Sequence, residues 1–379
     1  MKMNGGARAE KVVRELFESA GVGVAGREPG DIDVKNPEFY GRLLREASIG
    51  LGESYMDGWW ECDKLDLFIE KLLRADMQKK IEGSLRLKLL TLQAVVTNMQ
   101  SRKRAKIVAE KHYDLGNDLY EVMLCPRMVY TCGYWKNAKN LDEAQEHKLE
   151  LICKKAQLTA GMKVLDLGCG FGGFALYAAE KYGCHVTGVT VSVEQQRFGQ
   201  GVADKKKLPV EIRVQDFRDV RGSFDAVVSI GMLEHVGPKN HRHLMEVVDR
   251  NLKDGGVAVL HTIGSNYSQK HGIPFFEKHI FPNAASPSLA QLGKSMEGLF
   301  VAEDIHNIGP DYNPTLLAWW KNFEAGYDTL DKTKYDRRFW RMWRFYLLAA
   351  AGAVAARESQ LWHLVLTKPG TRQPDSRFS

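Results

Sequence analysis

The chain has 379 residues, 44% hydrophobic and 26% charged, a balance typical of a globular protein with one large domain and a smaller one. It contains no run of about 18 apolar residues, so the sequence predicts no membrane-spanning helix. The N-terminus lacks the apolar core of a signal peptide, which favours a cytoplasmic protein. The net charge of +6 suits a negatively charged partner but leaves nucleic acid, acidic lipid and simple solubility open.

The six cysteines are scattered and form no C-x-x-C pair, so the sequence indicates neither a zinc site nor a disulfide framework. Before residue 75, apolar residues recur at helical spacing, and the predicted helices are Ala9–Ala20, Phe39–Ala47 and Leu65–Leu73. Between the last two lies a segment rich in aromatic residues and glycine, Gly50–Glu61, whose Trp59 and Trp60 suit either a membrane interface or a core.

A basic connector follows between residues 76 and 110. One helical face carries the apolar side chains Leu85, Leu89, Leu92, Val96 and Met99. Such a helix can lie on an anionic membrane or pack on its own core with a solvated basic face, and the sequence leaves both open. The basic cluster Arg102–Lys106 lacks the interleaved aromatic residues that stack bases, which favours lipid headgroups over nucleic acid.

After about residue 111, strand and helix patterns alternate, which indicates an α/β fold with a parallel sheet. The predicted strands are Val164–Leu167, His185–Thr190, Val210–Val214, Phe224–Ile230 and Gly256–Thr262. Ligands of such sheets bind at the carboxyl ends of the strands, where the strand order reverses. We therefore expect five positions to be neighbours in space: Gly168–Gly173, Thr190, Asp216, Glu234 and His261.

The first of these strands ends in a glycine turn, Gly168–Gly173, with the pattern G-x-G-x-G-G and Asp166 two residues before it. Glycine lets a ligand approach the main chain at the start of a helix. An ordinary strand-to-helix turn or an NAD site would also use glycines here. The whole string V-L-D-L-G-C-G-F-G-G, however, is similar to the first motif of S-adenosylmethionine-dependent methyltransferases.

The next two strand ends strengthen that interpretation. Thr190 and Gln195 offer a hydroxyl and an amide that suit the hydroxyls of a ribose. Gln215 and Asp216 precede an aromatic residue, a combination that suits an adenine ring. Each position alone would be a cap or a core residue, but their serial order after the glycine turn favours S-adenosylmethionine. The Glu234-His235 pair could be half of a metal site, but no second pair has matching spacing, so no metal is predicted.

Six motifs together identify a family: K-H-Y-D-L-G-N-D, Y-T-C-G-Y-W, the glycine string, G-V-T-V-S-V-E-Q, G-M-L-E-H-V-G-P-K-N and L-H-T-I-G-S. The chain resembles the bacterial cyclopropane-fatty-acyl-phospholipid synthases, and L-G-E-S-Y-M-D-G-W-W-E-C-D extends the resemblance into the front half. It implies a Rossmann-like class I methyltransferase sheet of seven strands with a smaller, mainly helical N-terminal domain. It also implies methyl transfer to a cis double bond of a phospholipid acyl chain, at the inner face of the cell membrane, by a homodimer.

The resemblance also assigns residues to the site. A bicarbonate ion, acting as the base, is expected to be held by Cys132, Glu234, His261, Tyr312 and the main chain of Ile263. Residues expected to bind S-adenosylmethionine are Tyr130, Thr131, Leu165, Asp166, Gly168, Cys169, Gly170, Phe171, Gly172, Gly173, Thr190, Gln195, Gln215 and Asp216. The predicted division is a lipid-binding or membrane-binding domain at 1–95, a basic linker at 96–110 and a catalytic domain at 111–379.

One position departs from some members of that family, which carry a cysteine in the late helix where this chain has Ala350. If the enzyme is active, a nucleophilic cysteine is not required there. Five aromatic residues could line the site and stabilise a carbocation, or serve as ordinary core: Tyr134, Trp135, Phe171, Tyr312 and Trp319. Two other functions stay open, a lipid C-methyltransferase that closes no ring and a membrane-binding homologue without catalysis.

Overall fold

The computed structural model describes residues 5–76 and 116–378. The basic connector with its apolar stripe, the Arg102–Lys106 cluster and both predicted domain boundaries lie outside these residues. In chain order the described helices are α1 (Gly5–Ser19), α2 (Glu38–Met56), α3 (Leu65–Arg74), α4 (Asn117–Met123), α5 (Leu141–Lys155), α6 (Gly173–Tyr182), α7 (Val193–Lys206), α8 (Leu233–Val236), α9 (His241–Asn251), α10 (Pro274–His279), α11 (Leu289–Met296), α12 (Tyr312–Gly326) and α13 (Arg337–Ala355).

The described strands are β1 (Asp33–Val34), β2 (Trp60–Glu61), β3 (Lys163–Leu167), β4 (His185–Thr190), β5 (Val210–Val214), β6 (Phe224–Ile230), β7 (Leu252–Ser265), β8 (Val301–Asn307) and β9 (Ser359–Thr367). The chain divides into two compact units. The first contains the N-terminal helices together with residues 273–282 and 323–358, and the second contains residues 120–272, 283–322 and 359–379. Segments from late in the sequence therefore belong to the same unit as the N-terminal helices.

The first unit is mainly helical, and its α2 is longer than the sequence pattern predicts. Backbone angles at Ala47 (φ 48°, ψ −122°) interrupt the helix, which then continues through the glycine-rich segment to Met56. A Cβ at Gly52 would lie 2.3 Å from the ring of Phe275. Glycine here permits close packing of a helix on an aromatic ring.

The core of this unit is aromatic. Trp60 is fully buried, and its ring centroid lies 5.0 Å from that of Tyr55 and 5.3 Å from that of Phe68. Its indole N–H donates to the Leu51 carbonyl at 3.1 Å. Trp60 is therefore a core residue and not a membrane-interface residue. Trp59 is half-buried beneath the guanidinium of Arg42, which lies 5.1 Å from its ring centroid.

The second unit is built on a seven-stranded sheet with the order β5-β4-β3-β6-β7-β9-β8. The predicted α/β class and strand number are confirmed. The first five strands pair in parallel, whereas β9 pairs antiparallel with both β7 and β8. The last two strands therefore depart from a purely parallel sheet, a common arrangement at one edge of such folds. Buried apolar residues such as Leu165, Val227 and Leu260 form the core behind the strands.

The strand order reverses between β3 and β6, because the chain builds outward from β3 to β5 on one side and from β6 on the other. The carboxyl ends of β3, β4 and β6 therefore border the crevice where such folds bind ligands. The glycine turn, Thr190 and the segment that leads to Glu234 follow these three strands.

Candidate active site

The glycine turn has the backbone conformation that its sequence predicted. Gly168, Gly170 and Gly172 all have positive φ, at 75°, 55° and 82°. A Cβ on Gly173 would lie 2.7 Å from the Val129 side chain, whereas a Cβ on Gly170 would meet no atom within 4 Å. The turn is therefore packed against protein at its helical end and open at Gly170, where a ligand can approach the main chain.

Three side chains of the expected cofactor set face the core. Leu165 is fully buried in β3, and Cys169 and Phe171 of the turn are also buried. The ring of Phe171 packs edge-on against Phe198 of α7, with centroids 5.4 Å apart. These three residues hold the turn in place, so any contact they make with a cofactor would come from the main chain.

Asp166, near the end of β3, is a buried carboxyl group beside the glycine turn. It is 1% exposed, and among the residues that the structure describes its Oδ2 has no hydrogen-bond partner. Burial raises its pKa to about 7, against the opposing charge of Lys148. An orphaned carboxylate oxygen beside an open glycine turn fits a ligand that brings hydrogen-bond donors or positive charge, as S-adenosylmethionine does.

The predicted ribose and adenine positions are joined at the ends of β4 and β5. The Thr190 hydroxyl donates to Gln195 Oε1 at 2.8 Å, and the main-chain N–H of Gln215 donates to the Thr190 carbonyl at 2.9 Å. The Asp216 carboxylate accepts from the amide of Arg218 at 2.9 Å and from its guanidinium at 2.8 and 2.6 Å. These hydrogen bonds lower the pKa of Asp216 to about 2. Contact of Asp216 with an adenine stays a prediction, because the carboxylate is engaged by Arg218.

The segment 130–135 is held by helix α5. Gln145 donates to the Thr131 carbonyl at 2.7 Å, and the Lys148 ammonium donates to the Thr131 hydroxyl at 2.9 Å. The Tyr130 ring packs 5.1 Å from that of Trp319. On the other side of Thr131, a Cβ at Gly231 would lie 2.7 Å from the Thr131 methyl. The segment thus lies against the end of β6, three residues before Glu234.

Cys132 and Tyr312 are brought to the same region through the start of α12. The Gly133 amide donates to Thr315 Oγ1 at 3.1 Å, one turn after Tyr312. Cys132 is fully buried, and burial raises its pKa well above the ordinary range, so it is a neutral thiol. Tyr312 is nearly buried and packs edge-on against Trp319 at 6.0 Å. Cys132 therefore carries no negative charge at neutral pH that would repel an anion.

Glu234 and Ile263 are in direct contact. Glu234 Oε1 accepts from the Ile263 amide at 2.5 Å, while Oε2 is buried and has no hydrogen-bond partner within the described ranges. Burial raises the pKa of Glu234 to about 7. The sequence predicted that the Ile263 amide binds bicarbonate. In the structure that amide donates to Glu234, so its binding to an anion stays a prediction.

His261 lies four residues before the end of β7, and its carbonyl accepts from the Gly231 amide at 2.8 Å. Its Nδ1 lies 2.8 Å from Nε2 of His363 on β9. In the part of the chain that the structure describes, His261 Nε2 is buried without a partner. Burial lowers the pKa of His261 well below its ordinary value, with His363 and Lys148 adding to the effect, so the ring is neutral.

The polar groups of this region suit a small oxyanion that also carries a hydroxyl group. The Cys132 thiol, which donates to the Gly133 carbonyl at 3.1 Å, and the Tyr312 hydroxyl are polar groups of this region. Nε2 of the neutral His261 ring can donate or accept, and Glu234 Oε2 can accept a hydroxyl hydrogen. Bicarbonate has both properties, so the donor and acceptor set fits it. Of the described residues, no three His, Cys, Asp or Glu side chains could hold a metal ion together.

Two residues that the sequence did not predict belong to this region, Lys148 and His363. Lys148 is fully buried; burial lowers its pKa to about 8, and its charge acts on Cys125, Cys132 and Asp166. One signal was available in the sequence: Gln145, Lys148 and Lys155 are polar residues at positions of α5 that are otherwise apolar and buried. His363 gave no local signal, since it follows from the pairing of β9 with β7.

All six cysteines are buried and unpaired by disulfides. No helix within residues 5–76 and 116–378 combines the length and apolar character that crossing a bilayer requires.

Strand order, glycine turn and site define a class I S-adenosylmethionine-dependent methyltransferase. In agreement, coclaurine N-methyltransferase crystallised with SAH shares the fold, with a TM-score of 0.66 at 21% identity over 85% of this chain and 100% of that one. The chain belongs to the mycolic acid cyclopropane synthetase family, whose sequence model matches residues 100–364.

Two further similarities are more specific. The chain is 49% identical over 358 residues to the cyclopropane-fatty-acyl-phospholipid synthase of Escherichia coli K12, covering 94% of this chain and 93% of that protein. A mycolic acid cyclopropane synthase crystallised with SAH and CTAB superimposes with a TM-score of 0.61 at 26% identity, covering 68% of this chain and 96% of that one. The family resemblance inferred from the sequence motifs is confirmed.

Proposed function

We propose that this protein is a cyclopropane-fatty-acyl-phospholipid synthase. It transfers the methyl carbon of S-adenosylmethionine to a cis double bond of a phospholipid acyl chain and closes a cyclopropane ring, leaving S-adenosylhomocysteine. The observation that carries the proposal is the 49% identity to a synthase of that name across 94% of the chain. The glycine turn and the orphaned Asp166 carboxylate support the binding of S-adenosylmethionine.

The aromatic residues of the site suit the first chemical step. An alkene is a weak nucleophile, so it must be held in line with the sulfonium methyl and away from water. Transfer leaves a carbocation on the acyl chain, which aromatic faces stabilise without reacting. Tyr130 and Tyr312 both pack against Trp319, and these three rings are suited to this lining. Tyr134 and Trp135 remain candidates for the same role, whereas the Phe171 ring packs against Phe198.

The second step removes a proton from the new methyl group so that the ring can close. Bicarbonate, when bound, would supply a base of suitable strength. Cys132, Tyr312 and His261 would hold it by donating hydrogen bonds, and Glu234 would accept one, which supports its placement beside these buried groups.

The direct test is incubation of the purified protein with methyl-labelled S-adenosylmethionine and vesicles of a cis-monounsaturated phospholipid. Incorporation of label with upfield ring-proton signals in the lipid NMR spectrum is the expected result. A methyl-branched product would identify a lipid C-methyltransferase instead. Vesicle binding without any incorporation would identify a homologue without catalysis, and either outcome would refute the proposed synthase.

We also propose that the protein is a homodimer and that its basic connector binds the surface of an anionic bilayer. This rests on sequence alone. Changing Arg102, Lys103 and Arg104 to Gln should weaken binding to anionic vesicles more than to neutral ones, because each basic residue near such a surface contributes about 1 kcal/mol.

The matched control removes the same charge from an exposed cluster at the end of α7, Lys205–Lys207. Equal losses on anionic and neutral vesicles, or equal losses in the control, would exclude the electrostatic role of the connector. Sedimentation of the purified protein tests the dimer.

A further inference from the structure

Three histidines lie side by side on neighbouring strands of the sheet. In the antiparallel pairing of β7 with β9, His261 is opposite His363, and in the pairing of β8 with β9, His306 is opposite the same His363. Directly opposed residues of antiparallel strands project from the same face. The row therefore runs from His261, in the candidate active site, to His306 on the edge strand.

The inner two members of this row are bonded. His261 Nδ1 and His363 Nε2 are 2.8 Å apart, with ring centroids separated by 4.9 Å. His363 is fully buried and His261 is 1% exposed. The third ring is further away, with the centroids of His306 and His363 separated by 6.3 Å, and it is half-buried. Only the inner contact is short enough to be a hydrogen bond.

Both inner rings are neutral. Burial lowers the pKa of His363 well below its ordinary value, and the charges of Lys155, His306 and Lys148 add to this. The pKa of His261 is lowered in the same direction by burial, His363 and Lys148. Two neutral imidazoles with facing nitrogens share one hydrogen. Either His261 donates from Nδ1 and exposes a lone pair at Nε2, or His363 donates and His261 carries its hydrogen on Nε2.

We propose that His363 is a positioning residue that donates its Nε2–H to His261 Nδ1 and thereby makes His261 Nε2 a hydrogen-bond donor. The inference rests on the proposed function in one respect, because the His261 Nε2–H would face the bicarbonate ion. The opposite tautomer would give the site two acceptors, the His261 Nε2 lone pair and Glu234 Oε2. Two buried acceptors would oppose an anion, whereas one donor and one acceptor match a bicarbonate ion.

The first experiment reads the tautomer without reference to activity. Long-range proton–nitrogen NMR of protein labelled with 15N-histidine distinguishes the two ring forms, and the His261 signals are assigned by their loss in His261→Gln. We expect a single Nε2–H tautomer at His261 in the wild type. An Nδ1–H tautomer, or a mixture of the two forms, would overturn the proposal.

The second experiment separates orientation from packing. In His363→Gln the side-chain amide can still donate to His261, whereas His363→Leu retains bulk but has no donor. We expect the Leu variant to lose at least tenfold in kcat and to need more added bicarbonate for half-maximal activity, while the Gln variant keeps the Nε2–H tautomer and most of its activity. His306→Gln is the control, because the same substitution one strand further out leaves the inner hydrogen bond in place.

Wild-type activity in His363→Leu would refute the positioning role. If that variant does not fold, the tautomer measured in the wild type still decides, since an Nδ1–H form of His261 contradicts donation by His363. A wild-type protein with the expected tautomer that makes no cyclopropane product would refute the proposed function and leave the orientation of His261 by His363 supported.

Discussion

At the scale of single residues, Glu234 has the clearest consequence for pH. Its carboxyl is buried, and its pKa is raised from 4.5 to about 7. A raised pKa means that the folded state favours the protonated form, so the stabilisation is complete below pH 4.5 and is lost as pH rises through about 7.

Glu234→Gln should therefore gain stability relative to the wild type as pH rises from 5 to 8, by about 2–3 kcal/mol in the free energy of unfolding. It should also lose at least about tenfold in turnover, or ~1.4 kcal/mol of barrier. Urea denaturation at both pH values and the vesicle assay measure these effects. Glu246→Gln, at a more exposed carboxyl on α9, is the control. A stability difference between Glu234→Gln and wild type that does not change with pH, or full turnover, would remove Glu234 from the site.

Lys148 is the second residue whose environment predicts an effect. Its ammonium and the amide of Gln145 hold Thr131, and with it the segment that carries Tyr130 and Cys132. Lys148→Met should weaken SAH binding and turnover at least about tenfold. The melting temperature should change little, because removing a buried cation offsets the lost hydrogen bond.

Calorimetric titration with SAH and thermal unfolding test this expectation. Lys154→Met is the matched control, since Lys154 lies on the same helix with half of its side chain exposed. SAH affinity equal to that of the wild type would show that Lys148 does not position the segment.

At the scale of elements, helix α7 supports the glycine turn through one glycine. A Cβ at Gly199 would lie 2.7 Å from the Phe171 carbonyl, whereas a Cβ at Gly201, two residues later on the same helix, would meet no atom within 4 Å. Gly199→Ala should therefore displace the turn and weaken SAH binding. Gly201→Ala should stabilise the protein by about 0.8–1 kcal/mol, the usual gain in a helix interior. Titration with SAH and urea denaturation distinguish the two variants, and equal SAH affinity in both would contradict the contact between α7 and the turn.

At the scale of the whole molecule, the first compact unit depends on a residue far along the chain. Arg341 of α13 is nearly buried and donates to the Trp60 carbonyl at 3.0 Å and to Glu61 at 2.7 Å. Its guanidinium also lies 4.1 Å from the ring centroid of Tyr55. A lysine ammonium lacks the planar, forked geometry with which Arg341 makes both hydrogen bonds while lying over the Tyr55 ring.

Arg341→Lys should therefore lower the free energy of unfolding by about 2–4 kcal/mol, within the range for broken buried ionic contacts. Faster hydrogen exchange in α2 and α13 is the expected readout. Arg338→Lys, at a more exposed pair with Asp57, should be within about 0.5 kcal/mol of the wild type. Unchanged exchange in Arg341→Lys would show that α13 is held by apolar packing alone.

Local pattern predicted the five parallel strands and the glycine turn, because strand periodicity and turn glycines are visible in neighbouring residues, but it did not predict β8 and β9. The same pattern left Trp60 open to a membrane interface or a core, and it ended a helix at Ala47 where α2 continues to Met56. Local composition cannot resolve these cases, since the ring of Phe275 that packs on Gly52 lies more than 200 residues away in sequence.

The sequence by itself determined the class of fold and the family, and it supplied the site assignments that remain predictions. Tertiary structure alone decided that Lys148 lies buried beneath Thr131, that Arg218 engages Asp216 and that His363 is bonded to His261. The physical reason is that burial and strand register arise from contacts between distant parts of the chain. These contacts set the pKa values and hydrogen-bond roles on which the chemistry depends.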